Sequence, residues 1–223
     1  MRENLTHAIE DYLKAIYKLQ TARGKASTNQ LAERLEVAAA SVTGMIKKLA
    51  STQPPLVEYE KHRGVTLTPE GEKVALEIVR HHRLLELYLH QMLGFSWDKV
   101  HEEADRLEHV ISEEFEARIA EALGDPRRDP HGDPIPTADL TMPPSSALPL
   151  SALNTGERAV IQRVRDSEPE LLCYLADRGL VPQSQVFVRE RSPFDDNLTV
   201  EVSGRELVLG PRVTSQVFVE YVN

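Results

Sequence analysis

The sequence predicts an α+β protein, with a helical N-terminal half that carries one β-hairpin and a small β-rich C-terminal domain. Three observations predict it. Apolar residues recur at helical spacing through most of the first half. A proline-rich stretch over 125–149 then interrupts all periodicity. Beyond it, short runs alternate with a period of two and are punctuated by Gly and Pro.

Leu5, Ile9, Tyr12, Leu13, Ile16, Tyr17 and Leu19 share one face, so residues 5–20 form an amphipathic helix. Ser27-Thr28-Asn29-Gln30 has the reciprocal capping pattern and opens a short second helix to Leu35. After a break at Val37-Ala38-Ala39, a third helix runs from about Ala40 to Ala50 and is stopped by Gln53-Pro54-Pro55. Leu56–Glu60 and Val65–Leu67 are strands around the turn Lys61-His62-Arg63-Gly64. Thr68-Pro69-Glu70 opens a long helix to Leu93, and Ser96 caps one further helix to Leu123. Past the prolines, Glu168–Arg178 is helical. Arg158–Arg165, Gln185–Arg191, Leu198–Val202, Glu206–Leu209 and Val213–Tyr221 are strands of a small β-barrel.

The 223 residues, 41% of them hydrophobic, suffice for two or three folded domains. No run of apolar residues is long enough to span a bilayer, and Met1-Arg2-Glu3-Asn4 lacks a signal-peptide core. A cytoplasmic protein without a membrane partner is expected. The single cysteine, Cys173, excludes an intramolecular disulfide and a cysteine-rich zinc site. Net charge is −9, unevenly spread: residues 1–74 carry 11 Lys/Arg against 9 Asp/Glu, and residues 75–140 carry 7 against 15. The first segment suits phosphates and the second suits cations. No P-loop, nucleophile elbow or His-Glu-x-x-His string occurs, and a di-metal carboxylate enzyme would need Glu-x-x-His on two helices. An enzyme is not expected.

Two short helices around a tight break, followed by a hairpin, give the order of a winged helix-turn-helix. A helix entering a major groove needs a small leading turn, and Ala40, Ser41, Thr43 and Gly44 supply one. Lys47 and Lys48 follow within reach of phosphates, and Lys61, His62 and Arg63 form a cationic wing tip. With no arginine at the leading turn, shape and methyl contacts carry more of the discrimination than base hydrogen bonds.

Downstream, His101, Asp105, Glu108 and His109 fall within about a third of a helix circumference, and His82 and Glu86 share a face at i, i+4. A solvated charged face is the ordinary source of such a stripe. Residues 98–121, however, hold only Lys99, Arg106 and Arg118 as cations, and a divalent ion would relieve the repulsion among their carboxylates.

Ordered strings along the chain resemble the diphtheria-toxin-repressor and manganese-transport-regulator family. They include Glu10–Tyr17, Ala32–Leu35 through Leu49, Gly64–Gly71, His82–Glu86, Lys99–Ala104, Glu108–Val110 and His131–Pro136. The resemblance implies a primary metal site of Asp11, Asp105, Glu108 and His109. It implies an ancillary site of His82, Glu86 and His101 completed from the C-terminal domain, with Glu168 and Glu170 as candidates. It implies Mn²⁺, or Fe²⁺, as cofactor; oxygen and imidazole donors favour the harder Mn²⁺. Lys14 stands where manganese-type members carry a glutamate, which argues against a second ion there. The implied layout is a winged helix-turn-helix over 1–74, a helical metal-binding and dimerisation domain over 75–140, a linker over 141–155 and an SH3-like (FeoA-like) domain over 156–223. The implied activity is repression of metal-uptake genes by a metal-loaded homodimer on palindromic operator DNA. Surplus apolar residues, including Leu84, Leu85, Leu87, Leu89, Val110, Ile111 and Phe115, are expected to serve the dimer interface. The alternative is a winged-helix regulator that answers to a small organic ligand.

Overall fold

The computed structural model describes residues 5–60, 63–166 and 168–222, so the wing-tip residues Lys61 and His62 lie outside the described residues. The chain divides into two compact units. The first comprises Met1–His81, Glu108–Ile111 and Pro136–Met142; the second comprises His82–Leu107, Ser112–Ile135 and Pro143–Asn223.

The first unit holds α1 (His7–Arg23), α2 (Thr28–Arg34), α3 (Ala39–Ala50), the strands β1 (Val57–Glu60) and β2 (Gly64–Leu67), and the start of α4 (Pro69–Leu93). The buried face of α1, with Ile9, Tyr12, Leu13 and Ile16, belongs to one core with Leu31 of α2, Val42, Ile46 and Leu49 of α3, and Val57, Val65 and Leu67 of the hairpin. Both bonds of the capping box at Ser27 form, which starts α2 where the sequence indicates. The hairpin pairs antiparallel from Val57↔Leu67 to Glu60↔Gly64, and Ala26 bridges to Val65. Thr68 Oγ1 accepts from Gly71 N at 3.1 Å and donates to Pro55 O at 2.7 Å, tying the entry of α4 to the chain leaving α3. Gly71 lies so close to that chain that a Cβ would stand 2.0 Å from Leu56 O.

In the second unit, α4 continues from His82 and is followed by α5 (Val100–Leu107) and α6 (Glu113–Ala122). The single helix expected from Ser96 to Leu123 is therefore two. Ser112 caps α6, its side chain accepting from Phe115 N, and the β-branched Val110 and Ile111 disfavour helix just before it. The break takes Glu108 and His109 off any helical stripe and into a turn.

The C-terminal strands β3 (Leu148–Pro149), β4 (Arg158–Val164), β5 (Gln185–Arg191), β6 (Leu198–Val202), β7 (Arg205–Leu209) and β8 (Val217–Tyr221) form an antiparallel sheet in the order β3-β8-β4-β5-β6-β7. Its core of Ile161, Val186, Val188, Val200 and Val219 takes in Leu172 and Leu175 of α7 (Pro169–Asp177). Register shifts at Ile161/Arg163 and Val188/Glu190 mark bulges, where strands bend. Among the described residues no ladder joins β3 to β7, so the expected barrel is an open sheet. Pro211 starts the one-turn helix α8 (Pro211–Thr214) inside the expected last strand, which begins only at Val217. No described helix is long and apolar enough to cross a membrane.

Gly71→Ala would force backbone against backbone. It is expected to destabilise the protein by about 1–3 kcal/mol, read as a lowered denaturant midpoint. An unchanged midpoint would contradict the close approach.

Candidate metal centres and DNA interface

In α3, Val42, Ile46 and Leu49 turn into the core, while Ala39, Ala40, Ser41, Gly44, Lys47 and Lys48 are exposed. Thr43 is half-buried and its hydroxyl donates to Ala39 O at 3.0 Å. The exposed face is therefore nearly smooth for two turns before its lysines, and a Cβ at Gly44 would meet nothing within 4 Å. Arg63, at the wing, is exposed and donates to Glu60 Oε1 at 2.9 Å.

The first unit contains an imidazole–carboxylate cluster built from α1 and the Glu108–His109 turn. His109 Nδ1 lies 2.6 Å from Glu10 Oε2; its Nε2 lies 3.0 Å from Asp11 Oδ1 and 3.5 Å from Glu108 Oε1. Lys14 Nζ donates to both Glu108 oxygens, at 2.9 and 2.6 Å. His81 Nδ1 meets the Glu108 carbonyl at 3.1 Å, and the His7 ring stacks on His109 with centroids 4.9 Å apart. Glu10, Lys14 and Glu108 are buried, whereas the Asp11 side chain is 45% exposed and opens the cluster to solvent. Burial pulls the His109 imidazole down, but hydrogen bonds to Asp11 and Glu10 and the Glu108 charge outweigh it and push it up to about 9. One donor atom each from Asp11, Glu108 and His109 falls within 4.8 Å of the others, as an ion requires.

The second unit contains a denser cluster. His82 and Glu86 project from α4, His101 from α5, and Asp166 follows β4. His82 Nε2, His101 Nδ1 and Glu86 Oε1 form a triangle with sides of 3.0, 2.9 and 3.0 Å. Asp166 Oδ2 stands 3.4 Å from His101 Nδ1. Burial alone would raise the Glu86 carboxyl, but the His82 charge and hydrogen bonds from His101 and His82 hold it well below the usual carboxylate range. Its second oxygen, Oε2, is buried without a hydrogen-bond partner. It faces His131 Nδ1 at 3.9 Å, which is equally buried and unpartnered. The other ring nitrogen of His131 donates to Trp97 O at 3.0 Å, so in the neutral ring Nδ1 keeps its lone pair. Asp129 completes this side. Burial and the charges of Glu86, Asp133 and Asp166 push its carboxyl well above the usual range against the pull of Arg83.

These residues fit a divalent cation. Two imidazole nitrogens and a carboxylate oxygen about 3 Å apart match neighbouring ligands of an octahedral ion at roughly 2.1–2.2 Å. A buried carboxylate oxygen facing another acceptor needs a positive or protic group between them.

Among the expected ligands, Asp11, Glu108 and His109 come together in the first unit, and His82, Glu86 and His101 in the second. Asp105 lies in the second unit, with Oδ1 3.2 Å from His82 Nδ1. It is one turn along α5 from His101, whereas Glu108 and His109 follow the end of that helix. Glu168 is exposed and accepts from Arg212 at 2.7 Å, and Glu170 is exposed on the first turn of α7; neither joins the cluster. The carboxylate that lies with His82, Glu86 and His101 is that of Asp166. It was missed, together with Asp129 and His131, because residues in irregular segments have no periodicity to mark them. Glu10 was overlooked beside Asp11, although adjacent carboxylates on a helix can grip both nitrogens of one imidazole.

A winged reading head with imidazole–carboxylate clusters on the same chain defines a metal-dependent DNA-binding regulator. Residues 4–65 match the family described as iron dependent repressor, N-terminal DNA binding domain. Residues 68–137 match its metal binding and dimerisation domain, and residues 148–221 match the FeoA domain. The iron-dependent repressor IdeR of Mycobacterium leprae is 32% identical over 221 residues, covering 93% of this chain and 94% of that protein. The diphtheria toxin repressor of Corynebacterium efficiens is 34% identical, with 74% of each chain covered. A solved manganese-dependent transcriptional repressor in complex with manganese is 40% identical at a TM-score of 0.89, covering 96% of this chain and 100% of that one. The chain belongs to the iron-dependent repressor family, which includes the diphtheria toxin repressors.

The raised His109 group makes stability depend on pH. An unfolded histidine titrates near about 6.5, so its contribution to the metal-free fold is complete below that pH and is lost as pH rises through about 9. Denaturation of metal-free protein across this window should show stability falling in the wild type and a flatter profile in His109→Gln. Parallel profiles would refute the assignment.

Proposed function

We propose that the chain is a metal-dependent repressor that binds palindromic operator DNA as a homodimer and controls genes of metal uptake in the cytoplasm. The observation that carries this reading is the convergence of His82, His101 and Glu86 on one point, with the second Glu86 oxygen buried and unsatisfied. In this reading Asp11, Glu108 and His109 hold one ion. His82, Glu86, His101 and Asp166 hold another, with Asp105 beside them and Asp129 and His131 around the far Glu86 oxygen. Every one of these donors is a carboxylate oxygen or an imidazole nitrogen, which favours Mn²⁺, with Fe²⁺ next. Bound metal supplies positive charge that lets closely spaced carboxylates share a dry site.

Lys14 already neutralises Glu108, so the first cluster takes one ion rather than two. That ion would fix α1 against the Glu108–His109 turn. The buried face of α1 shares its core with Val42, Ile46 and Leu49 of the reading helix, so a displaced α1 changes how α3 is held. Metal that favours the DNA-competent arrangement must itself be bound more tightly on DNA. For the dimer interface, Leu84, Leu85, Leu87 and Leu89 are buried within the single chain, while Met92, Leu93, Phe95, Val110 and Phe115 are exposed and available. Family membership does not favour a sensor of a small organic ligand.

Duplexes selected from a random pool in the presence of Mn²⁺ give the test. Gel-shift affinity for them should fall at least about tenfold, about 1.4 kcal/mol, on chelation, and likewise in Asp11→Ala and Glu86→Ala at limiting Mn²⁺. Undiminished binding after exhaustive chelation would end this reading.

A further inference from the structure

Glu10 is a buried carboxylate that the metal-binding reading does not use. Its Oε2 stands 2.6 Å from His109 Nδ1, the shorter of the contacts to that ring's two nitrogens. It is only 3% exposed and lies outside the group of Asp11, Glu108 and His109 whose donor atoms converge. Asp11 and Glu10 are consecutive on α1, about 100° apart around the axis. One therefore meets Nε2 on the open side of the ring, and the other meets Nδ1 inside the fold.

We propose that Glu10 is a positioning residue that keeps the proton on His109 Nδ1 and so reserves Nε2 as the only nitrogen His109 offers to an ion. This rests on the reading of Asp11, Glu108 and His109 as metal ligands. The argument is one of donor and acceptor roles. An ionised carboxylate can only accept, so a 2.6 Å contact requires hydrogen on Nδ1. With Nδ1 engaged inside the fold, Nε2 is the nitrogen left facing the open side of the cluster. It is also the nitrogen beside Asp11 Oδ1 and Glu108 Oε1, at 3.0 and 3.5 Å. The His7 ring, stacked on His109 at an interplanar angle of 14°, opposes rotation that would exchange the two nitrogens. A carboxylate on the far nitrogen raises the electron density of the near one, and losing such a partner typically weakens metal binding about 10–100-fold.

Mn²⁺ titrations of metal-free protein against a competing fluorescent chelator test this, with wild type, Asp11→Ala, Glu10→Ala and Glu10→Gln compared. Asp11→Ala shows what loss of the first-unit site looks like. If that variant titrates as wild type, the underlying site reading fails. If it loses a class of sites, Glu10→Ala is expected to weaken the same class by about 10–100-fold and leave the remaining sites unchanged. An unchanged Glu10→Ala would overturn the proposal alone. Glu10→Gln keeps an acceptor of the same length and keeps the test open should the alanine variant not fold; it is expected to bind more tightly than alanine and less tightly than wild type. A second readout is independent of affinity. Long-range proton–nitrogen spectra of ¹⁵N-histidine protein loaded with diamagnetic Zn²⁺ should show His109 ligated through Nε2 and protonated at Nδ1. Ligation through Nδ1 in the wild type would overturn the assignment.

Discussion

Negative charge taken out of water without a matching cation is the condition on which the rest of the molecule turns. Stripping a carboxylate of its hydration costs several kcal/mol even after the surroundings relax, and this chain does so repeatedly. The two clusters answer differently. In the first, Lys14 reaches Glu108 with both bonds of a close ion pair, and His109 lies between Glu10 and Asp11. In the second, Glu86 is fully enclosed, shares one oxygen with two imidazoles and leaves the other without a hydrogen bond. The first can hold together before an ion arrives. The second carries an imbalance that an ion would relieve, and binding there would then be in part folding free energy.

Secondary structure distributes these groups economically. Along α4, the adjacent residues His81 and His82 serve different units: His81 meets the Glu108 carbonyl in the first, and His82 joins Glu86 and His101 in the second. The interruption between α5 and α6 matters as much as the helices. In the turn that follows α5, Glu108 and His109 meet α1 through Lys14 and Glu10. Gly132 has a comparable role in the second unit. Its φ of +90° and the 2.0 Å that would separate a Cβ from Gln162 O let the segment bearing Asp129 and His131 lie directly on β4, which leads to Asp166.

Much of this was legible from residue order, and what was not has a common physical cause. Capping signals at Ser27 and Thr68 and the apolar spacing of α1 and α4 place those helices, because local chemistry decides them. The strands β5 and β6 follow from alternation alone. The run from Ser96 to Leu123 misled because its polar stripe satisfies helical spacing across a point where Ser112 starts a new helix. The ligand sets divided in the same way. Residues paired at i, i+4, such as His82 and Glu86, advertise their common face. Asp166, Asp129 and His131 meet only through tertiary folding, and the candidates Glu168 and Glu170 lie a few residues along the chain yet point to solvent.

The bareness of the leading turns of α3 has a consequence for change over time. Its inner residues, Val42, Ile46 and Leu49, are buried in the core, and the outer ones are exposed. At Gly44 any side chain would project into open space. The surface resembles an uncut key: in the reading of α3 as the helix that meets DNA, a side chain added there by a single codon change would alter which bases can be contacted without disturbing the core residues beneath.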